Sequence, residues 1–133
     1  MKKTLTLLCT LAAMVTLVAP MIAVIATTPT EVERIKDVCY FKIHGKPIQN
    51  SGFGVAEWIY KNLSPATQAV RIVVERDFGS GPVAITSLNA PVVAGATVEN
   101  YVDEGNDVEV QFWVYIDEAL TIHEMLWVPP NTN

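Results

Sequence analysis

Apolar and polar positions alternate along the chain from Asp37 onward, most regularly between Val108 and Asp117. One parity of this run holds Val108, Val110, Phe112, Val114 and Ile116, and the other holds Glu109, Gln111, Trp113, Tyr115 and Asp117. Successive side chains of a strand point to opposite faces of a sheet, so a period of two predicts a half-buried strand.

Two other runs show the same alternation. In one, Val70, Ile72 and Val74 oppose Arg71, Val73 and Glu75; in the other, Cys39, Phe41 and Ile43 oppose Val38, Tyr40, Lys42 and His44. Weaker patterns predict strands over 55–61, 83–88, 96–102 and 120–128. The last pattern changes phase near His123 and Glu124, which predicts a β-bulge there.

Clusters of glycine, proline, asparagine and serine separate these runs, at 45–47, 50–52, 62–65, 78–82, 89–91 and 103–107. Such residues end strands because glycine reaches positive φ and proline cannot donate a ladder hydrogen bond. About seven short, evenly spaced strands predict two antiparallel sheets packed as a β-sandwich over 37–133.

A family resemblance rests on the run from Val55 to Val74 and on the segment from Ala94 to Val98. The run contains a strand that ends in Asn62-Leu63-Ser64, a polar turn and a returning amphipathic strand. The segment is similar to a small turn that precedes a fifth strand. Together they resemble exported bacterial and archaeal immunoglobulin-like domains of the cell-adhesion-related kind. The resemblance implies a seven-stranded immunoglobulin-like sandwich outside the cytoplasm, with no common catalytic site. The predicted sandwich departs from antibody-type domains because Cys39 is its single cysteine.

The N-terminal segment predicts export. Lys2 and Lys3 precede an uncharged, largely apolar run from Thr4 to Ala26. This run predicts a hydrophobic helix, because about 20 apolar residues span a bilayer. It also has the parts of a signal peptide, with cleavage expected between Ala26 and Thr27. A cleaved signal peptide over 1–26 and a retained single anchor both remain open, and both place the rest of the chain outside the cytoplasm.

Residues 27–36 are expected to be a spacer between this segment and the sandwich. Within them, Thr30-Glu31-Val32-Glu33 fits a capping box, which predicts one helical turn. A polar linker without regular structure is the alternative.

Composition excludes several classes of protein. The chain has 133 residues, of which 50% are hydrophobic and 17% are charged, so it is not an acidic disordered protein. Its formal net charge of −5 disfavours binding to nucleic acid. Two cysteines, Cys9 and Cys39, cannot form a dense disulfide framework. We expect Cys39 to be a buried thiol.

Candidate catalytic and metal-binding residues do not converge in the sequence. Cys39 and His44 fall on opposite faces of one predicted strand, so they cannot form a nucleophile and base pair. A zinc site at His123 and Glu124 would need further ligands. The acidic stretch from Asp103 to Asp107 has calcium-type ligands but fits a turn equally well. We therefore predict no catalytic residue, metal or cofactor.

The outward aromatic residues Trp113 and Tyr115, extended by Trp127, form the candidate binding patch. Exposed aromatic side chains are enriched in recognition surfaces, although a central strand covered on both faces would explain the pattern as well. We expect a non-enzymatic structural or interaction module, secreted or on the cell surface, such as a filament subunit. Its partners would be other protein subunits, including copies of itself. The alternatives are a carbohydrate-binding module that uses the same patch on surface glycans, and a small exported hydrolase.

Overall fold

The computed structural model describes residues 27–77 and 79–131. Within them the chain forms eight strands and no helix. The strands are β1 (Glu31–Ile35), β2 (Cys39–Pro47), β3 (Phe53–Asn62), β4 (Gln68–Asp77), β5 (Pro82–Val92), β6 (Thr97–Gly105), β7 (Val108–Ile116) and β8 (Ala119–Val128). The predicted signal peptide or anchor over 1–26, including Ala26 of the expected cleavage site, lies outside the described residues. No helix in the described ranges is long and apolar enough to cross a membrane.

The strands form two antiparallel four-stranded sheets, with orders β1-β2-β3-β6 and β5-β4-β7-β8. Hairpins join β1 to β2, β2 to β3, β4 to β5 and β7 to β8 within a sheet. The β3–β4, β5–β6 and β6–β7 connections cross from one sheet to the other. The all-β architecture predicted from the alternation is therefore confirmed.

The core consists of the inward-facing parity of each strand. Its largest fully buried side chains are Phe41, Ile43, Trp58, Tyr60, Ile72, Phe112 and Leu126. Phe41 of one sheet packs edge-on against Phe112 of the other, with ring centroids 5.9 Å apart. The apolar parities predicted for β2, β4 and β7 lie in this core, with Val108 partly buried at its edge, because burial of one face is what sets the period of two.

The expectation of seven strands is wrong by one. Residues Glu31–Ile35, which we placed in the spacer, form β1 and pair with β2 from Glu31 opposite His44 to Ile35 opposite Tyr40. No helical turn forms there. Only Val32 of β1 is buried, so the strand is held mainly by main-chain hydrogen bonds, and its hydrophobic pattern was too weak to predict it.

Two bulges displace the pairing register. In β8, Val114 pairs with Ile122 and Tyr115 with Leu120, so Thr121 is the extra residue. The bulge that we predicted near His123 therefore lies two residues earlier in the chain. In β5, Ile72 pairs with Leu88 and Val73 with Thr86, which leaves an extra residue at position 87.

Along the side of the sandwich next to β1, the two sheets approach each other closely. A Cβ atom added to Gly45 of β2 would lie 2.5 Å from the carbonyl oxygen of Trp127 in β8, so only glycine fits this approach. Arg34 of β1 forms an ion pair with Glu124 of β8. The main-chain N–H of Trp127 also donates to the carbonyl of Pro29. The segment before β1 is thus part of the fold.

Candidate binding surface

The outer face of sheet β5-β4-β7-β8 carries the aromatic residues that the sequence singled out. Pairing of β7 with its neighbours places Trp113 between Val73 and His123, and Tyr115 between Arg71 and Leu120. We call this surface the aromatic face; it consists of Arg71, Val73, Gln111, Trp113, Tyr115, Leu120, His123, Met125 and Trp127.

Trp113 is held in place by a stacked histidine. The rings of Trp113 and His123 lie 3.7 Å apart between centroids and 14° from parallel. Nε2 of His123 lies 2.7 Å from Oε1 of Gln111, which fixes the imidazole in turn. The indole N–H of Trp113 is covered and has no acceptor among the described residues. The indole is thus partly exposed but ordered by its neighbours.

Tyr115 is held in a similar way by an arginine. The guanidinium carbon of Arg71 lies 3.9 Å from the centroid of the Tyr115 ring, which is a cation–π contact. On the other side in the pairing register is Leu120, which is 51% exposed. The face therefore presents apolar surface beside a ring whose position is already fixed.

Trp127 lies on the same face but apart from the other two aromatic residues. It pairs with Glu109, and the row of Gln111 and Met125 separates it from Trp113. Met125 is 41% exposed. The structure therefore brings Trp113 and Tyr115 together and adds Trp127 at one end of the surface.

Arg71 and His123, the residues that contact the rings, were not predicted as part of this surface, and His123 was considered only as a zinc ligand. Each lies on a strand that pairs with β7. The alternation within its own strand does not show that it contacts an aromatic ring of β7. Cross-strand pairs form the contacts of a sheet, and they follow from register. These ring contacts can be predicted only when the registers of β4 and β8 against β7 are both known. The β8 register depends on the bulge at Thr121.

A concave region of about 520 Å³ lies on the outer face of the other sheet, lined by Glu31, Lys42, His44, Glu57, Ile59, Glu99 and Tyr101 among others. Its charged groups are largely paired. Nζ of Lys42 lies 2.8 Å from the Glu31 carboxylate, and Nζ of Lys46 lies 3.0 Å from that of Glu57. The hydrogen bond from Lys42 lowers the pKa of Glu31, so this carboxylate stays ionised and is unsuited to donate a proton.

A second concave region, of about 470 Å³, lies at the end of the aromatic face near Met125. Four carboxylates line it, from Glu75, Asp77, Asp107 and Glu109. The hydroxyl of Thr28 donates to Glu109, which ties the start of the described chain to this region. Within the described residues, no group of three or more histidine, cysteine, aspartate or glutamate side chains is arranged to hold a metal ion.

Cys39 and His44 lie on opposite sides of their sheet, as the alternation predicted. Cys39 is completely buried, and burial raises the pKa of its thiol. The imidazole of His44 is 43% exposed on the outer face. His123 lies on the outer face of the other sheet, so the two histidines are separated by the whole core.

Several interior polar groups support the fold rather than a site. The hydroxyl of Tyr60 donates to Oε1 of Gln68, and burial raises the pKa of this tyrosine. The amide of Asn62 donates to the carbonyls of Ala66 and Val92, each at 2.8 Å. Asn62 begins the formal glycosylation sequence Asn62-Leu63-Ser64, but it is fully buried and its amide nitrogen is already hydrogen-bonded.

An ion pair joins the sheets at the end that contains the acidic stretch. Nη1 of Arg76 in β4 lies 3.0 Å from Oε1 of Glu104 in β6, and the Glu104 side chain has no exposed surface. Oε2 of Glu104 has no hydrogen-bond partner among the described residues. Burial raises the pKa of Glu104 despite the opposing effect of Arg76. Glu104 thus points into the interior, so it is not placed to be one of the calcium ligands that we considered for residues 103–107.

Comparison with known proteins gives no relative. No protein-family model matches the chain, and a search of curated proteins finds no match. The proposals for its function therefore rest on the residues and their geometry.

Proposed function

We propose that the chain is a non-enzymatic interaction module outside the cytoplasm, which contacts another protein subunit through the aromatic face. The observation that carries this proposal is the fixed position of its rings, with His123 stacked on Trp113 and Arg71 on Tyr115. A ring that is already ordered loses little conformational entropy when a partner covers it. Exposed Leu120 and Met125 add apolar area beside the rings.

The strand order supports an immunoglobulin-like sandwich. If β2 to β8 are taken as seven strands, the second lies between the first and fifth, and the sixth lies between the third and seventh. Immunoglobulin-like domains share these neighbours. The fourth strand, β5, pairs with the third, and β1 is an addition at the edge of the first sheet.

The sequence supports export. Two lysines precede the uncharged run from Thr4 to Ala26, and this arrangement directs the following chain across a membrane. The protein would then be secreted or attached to the cell surface. A reporter that is active only outside the cytoplasm, fused after Asn133, is expected to be active; activity only of a cytoplasmic reporter would contradict this part of the proposal.

The placement of acid–base groups favours a non-enzymatic role over a hydrolase. Cys39 is sealed in the core while His44 is on the surface. A general acid needs a carboxyl with a raised pKa that substrate can reach. Glu104 has a raised pKa, but its side chain has no exposed surface that a substrate could reach. Glu31 is exposed, but its pKa is lowered.

The stacking also favours a protein partner over a glycan. A sugar ring stacks on an open aromatic face. His123 occupies one face of the Trp113 ring, and Arg71 occupies one face of Tyr115. Trp127, the remaining aromatic residue, is separated from both along the sheet. A mixed surface of ring edges and aliphatic groups suits a protein interface.

The proposal can be tested by photocrosslinking in cells that naturally produce the protein. A photoreactive amino acid is placed at Met125 on the aromatic face or at Tyr101 on the outer face of the other sheet. Both positions are exposed, at 41% and 58%. We expect a discrete crosslinked protein from position 125 and none from position 101.

The crosslink from position 125 should disappear when Trp113→Ala removes the ring, while the amount of folded protein stays the same. Equal crosslinking from both positions, or none from position 125, would contradict the proposal. Binding of the purified protein to a glycan panel that is lost in Trp113→Ala would favour the carbohydrate-binding alternative instead.

A further inference from the structure

Strand β5 forms an open edge of the sheet that carries the aromatic face. It is the last strand in the order β5-β4-β7-β8, and no other strand of the described residues pairs with its outer side. An edge strand presents a row of main-chain N–H and C=O groups that have no partner within the sheet. Such groups can form a further ladder with another extended chain.

The pairing with β4 shows which residues of β5 present these groups. The N–H of Ala69 in β4 donates to Oδ1 of Asp117, which follows β7, and the carbonyl of Ala69 accepts from the N–H of Asp117. The main-chain groups of Ala69 therefore point away from β5, and this direction alternates along an antiparallel strand. The residues of β5 that lie opposite Ala69 and every second residue after it point their main-chain groups outward: Pro91, Asn89, Thr86, Ala84 and Pro82.

Two prolines bound the free part of this edge. Pro82 and Pro91 both belong to the outward set and have no N–H to donate, so a ladder on this edge ends at each of them. Between them, Ala84, Thr86 and Asn89 keep their donors and acceptors. Charged side chains commonly protect an edge from pairing. Of the four edge strands in the described part of the chain, only β5 has neither a charged residue nor a histidine.

The edge has a similar chemical pattern in both chain directions. Thr86 is the centre of the outward set, with Ala84 and Asn89 on its two sides and a proline at each end. Ile85 and Leu88, which alternate with these residues, both pack against the core and are only partly buried. In a two-fold symmetric pair, residue i of one copy meets residue j of the other and the reverse. An axis at Thr86 therefore sets Ile85 beside Leu88 of the second copy, and each proline opposite a proline.

The charges next to this edge also suit a second copy. Glu75 of β4 lies opposite Ala84, and Arg71 of β4 lies opposite Asn89. Pairing about Thr86 places Ala84 opposite Asn89 of the second copy. The row that starts at Glu75 of one copy thus ends at Arg71 of the other, so the two rows beside the axis carry opposite charges at their ends.

We propose that β5 pairs antiparallel with β5 of a second copy of this chain, which joins two four-stranded sheets into one sheet of eight strands. Ala84, Thr86 and Asn89 of the two copies supply about six main-chain hydrogen bonds across the axis. The contact also covers the accessible parts of Ile85 and Leu88. The aromatic faces of the two copies lie on the same side of the joined sheet, and the inference does not depend on what these faces bind.

The test measures the mass of the full chain in mild detergent by sedimentation. The concentration runs from micromolar to millimolar, because a contact between two single strands is small. Thr86→Lys and Thr86→Glu each set like charges together at the axis, so each should weaken self-association about fivefold. A mixture of these two variants should associate at least as strongly as the parent chain, because the charges at the axis are then opposite.

Thr97→Lys is the matched control, since Thr97 is exposed on the edge strand of the other sheet. It should leave self-association unchanged. A chain that stays monomeric at millimolar concentration, a control that weakens association as much as Thr86→Lys, or a mixture no stronger than either variant alone would overturn the proposal.

Disulfide formation tests the register, in a chain that carries Cys9→Ser and whose remaining cysteine, Cys39, is buried. Thr86→Cys should form a disulfide-linked dimer on oxidation, because opposite residues of an antiparallel pair have Cα atoms about 5.5 Å apart. Ala84→Cys and Asn89→Cys should crosslink readily when mixed and only weakly when alone. Equal crosslinking of Ala84→Cys alone and in the mixture would contradict the register. Unchanged thermal unfolding of each reduced variant shows that folding is intact.

Discussion

Trp58 and Ser87 connect the two sheets through a hydrogen bond. The indole N–H of Trp58 donates to Oγ of Ser87 at 2.7 Å. Trp58 is completely enclosed in the core, and Ser87 is the extra residue at the bulge in β5. A bulge changes the direction of a side chain, and here it supplies the acceptor that the buried indole requires.

Ser87→Ala should therefore destabilise the protein by about 1–3 kcal/mol, because it leaves a buried donor without an acceptor. Chemical denaturation of the variant and the parent protein measures this difference. Thr86→Ala, one residue away and exposed, is the control and should change the free energy of unfolding by less than about 0.5 kcal/mol. Equal effects of the two substitutions would mean that the bond between Trp58 and Ser87 contributes nothing.

Removal of one partner from the buried ion pair should cost more than removal of both. Arg76→Met leaves the Glu104 charge uncompensated and should cost about 3–5 kcal/mol. The double variant Arg76→Met with Glu104→Leu should recover most of this loss, since it also removes the buried charge. Denaturant titrations of the three proteins give the comparison, and a double variant no more stable than Arg76→Met would contradict it.

The same glutamate gives a pH dependence with a defined sign. The pKa of Glu104 in the folded protein is raised above its ordinary value of 4.5, so between these values the folded state binds more protons than the unfolded state. The contribution of Glu104 to stability is fully present below the ordinary value and is lost as the pH rises through the folded one. The free energy of unfolding, measured against pH, should therefore rise more on acidification in the parent protein than in Glu104→Gln. An identical profile in Glu104→Gln would contradict this assignment.

The two ring contacts on the aromatic face should each show measurable coupling. A double-mutant cycle of Arg71→Ala and Tyr115→Leu is expected to give about 0.5–1 kcal/mol, the range for exposed cation–π contacts. A cycle of Trp113→Leu and His123→Ala should give a similar value for the stacked pair. Combining Arg71→Ala with His123→Ala serves as the control, because these residues lie on different strands that do not pair. Coupling in this control as large as in the cycles would show that the rings are not held individually.

Cys39 should be protected from thiol reagents while the protein is folded. It is completely buried, and the raised pKa further lowers the fraction of reactive thiolate. We expect modification to be at least about 100-fold slower in buffer than in denaturant. Mass spectrometry of the peptide that contains Cys39 separates this signal from Cys9. Rapid modification in buffer would contradict the placement of Cys39 in the core.

The sequence was sufficient to predict the strands in which buried and exposed side chains alternate. Burial of one face selects apolar residues at alternate positions, and this is why the cores of β2, β4 and β7 were assigned correctly. It was not sufficient for β1, whose single buried residue, Val32, produces no alternation. Edge strands of this kind are held by the main chain, which carries no side-chain signature.

Contacts between distant strands were also beyond the sequence. The Arg76 and Glu104 pair joins residues of different sheets, and the carboxylate was interpreted as part of an acidic loop. The stacking of His123 on Trp113 requires a bulge at Thr121 that local composition does not mark. The candidate aromatic residues were found because outward aromatic side chains break the polar pattern, while the groups that hold them depend on register.

Footprinting of intact cells with a membrane-impermeant reagent tests the central claim, an exported sandwich with a covered aromatic face. We expect Tyr101 to be labelled in intact cells and in purified protein, and Trp58, which is 1% exposed, to be protected in both. Met125 should be labelled in the purified protein and protected in cells, because the proposed partner would cover it there. No labelling of Tyr101 until the cells are lysed, rapid labelling of Trp58, or equal labelling of Met125 in both settings would contradict the claim.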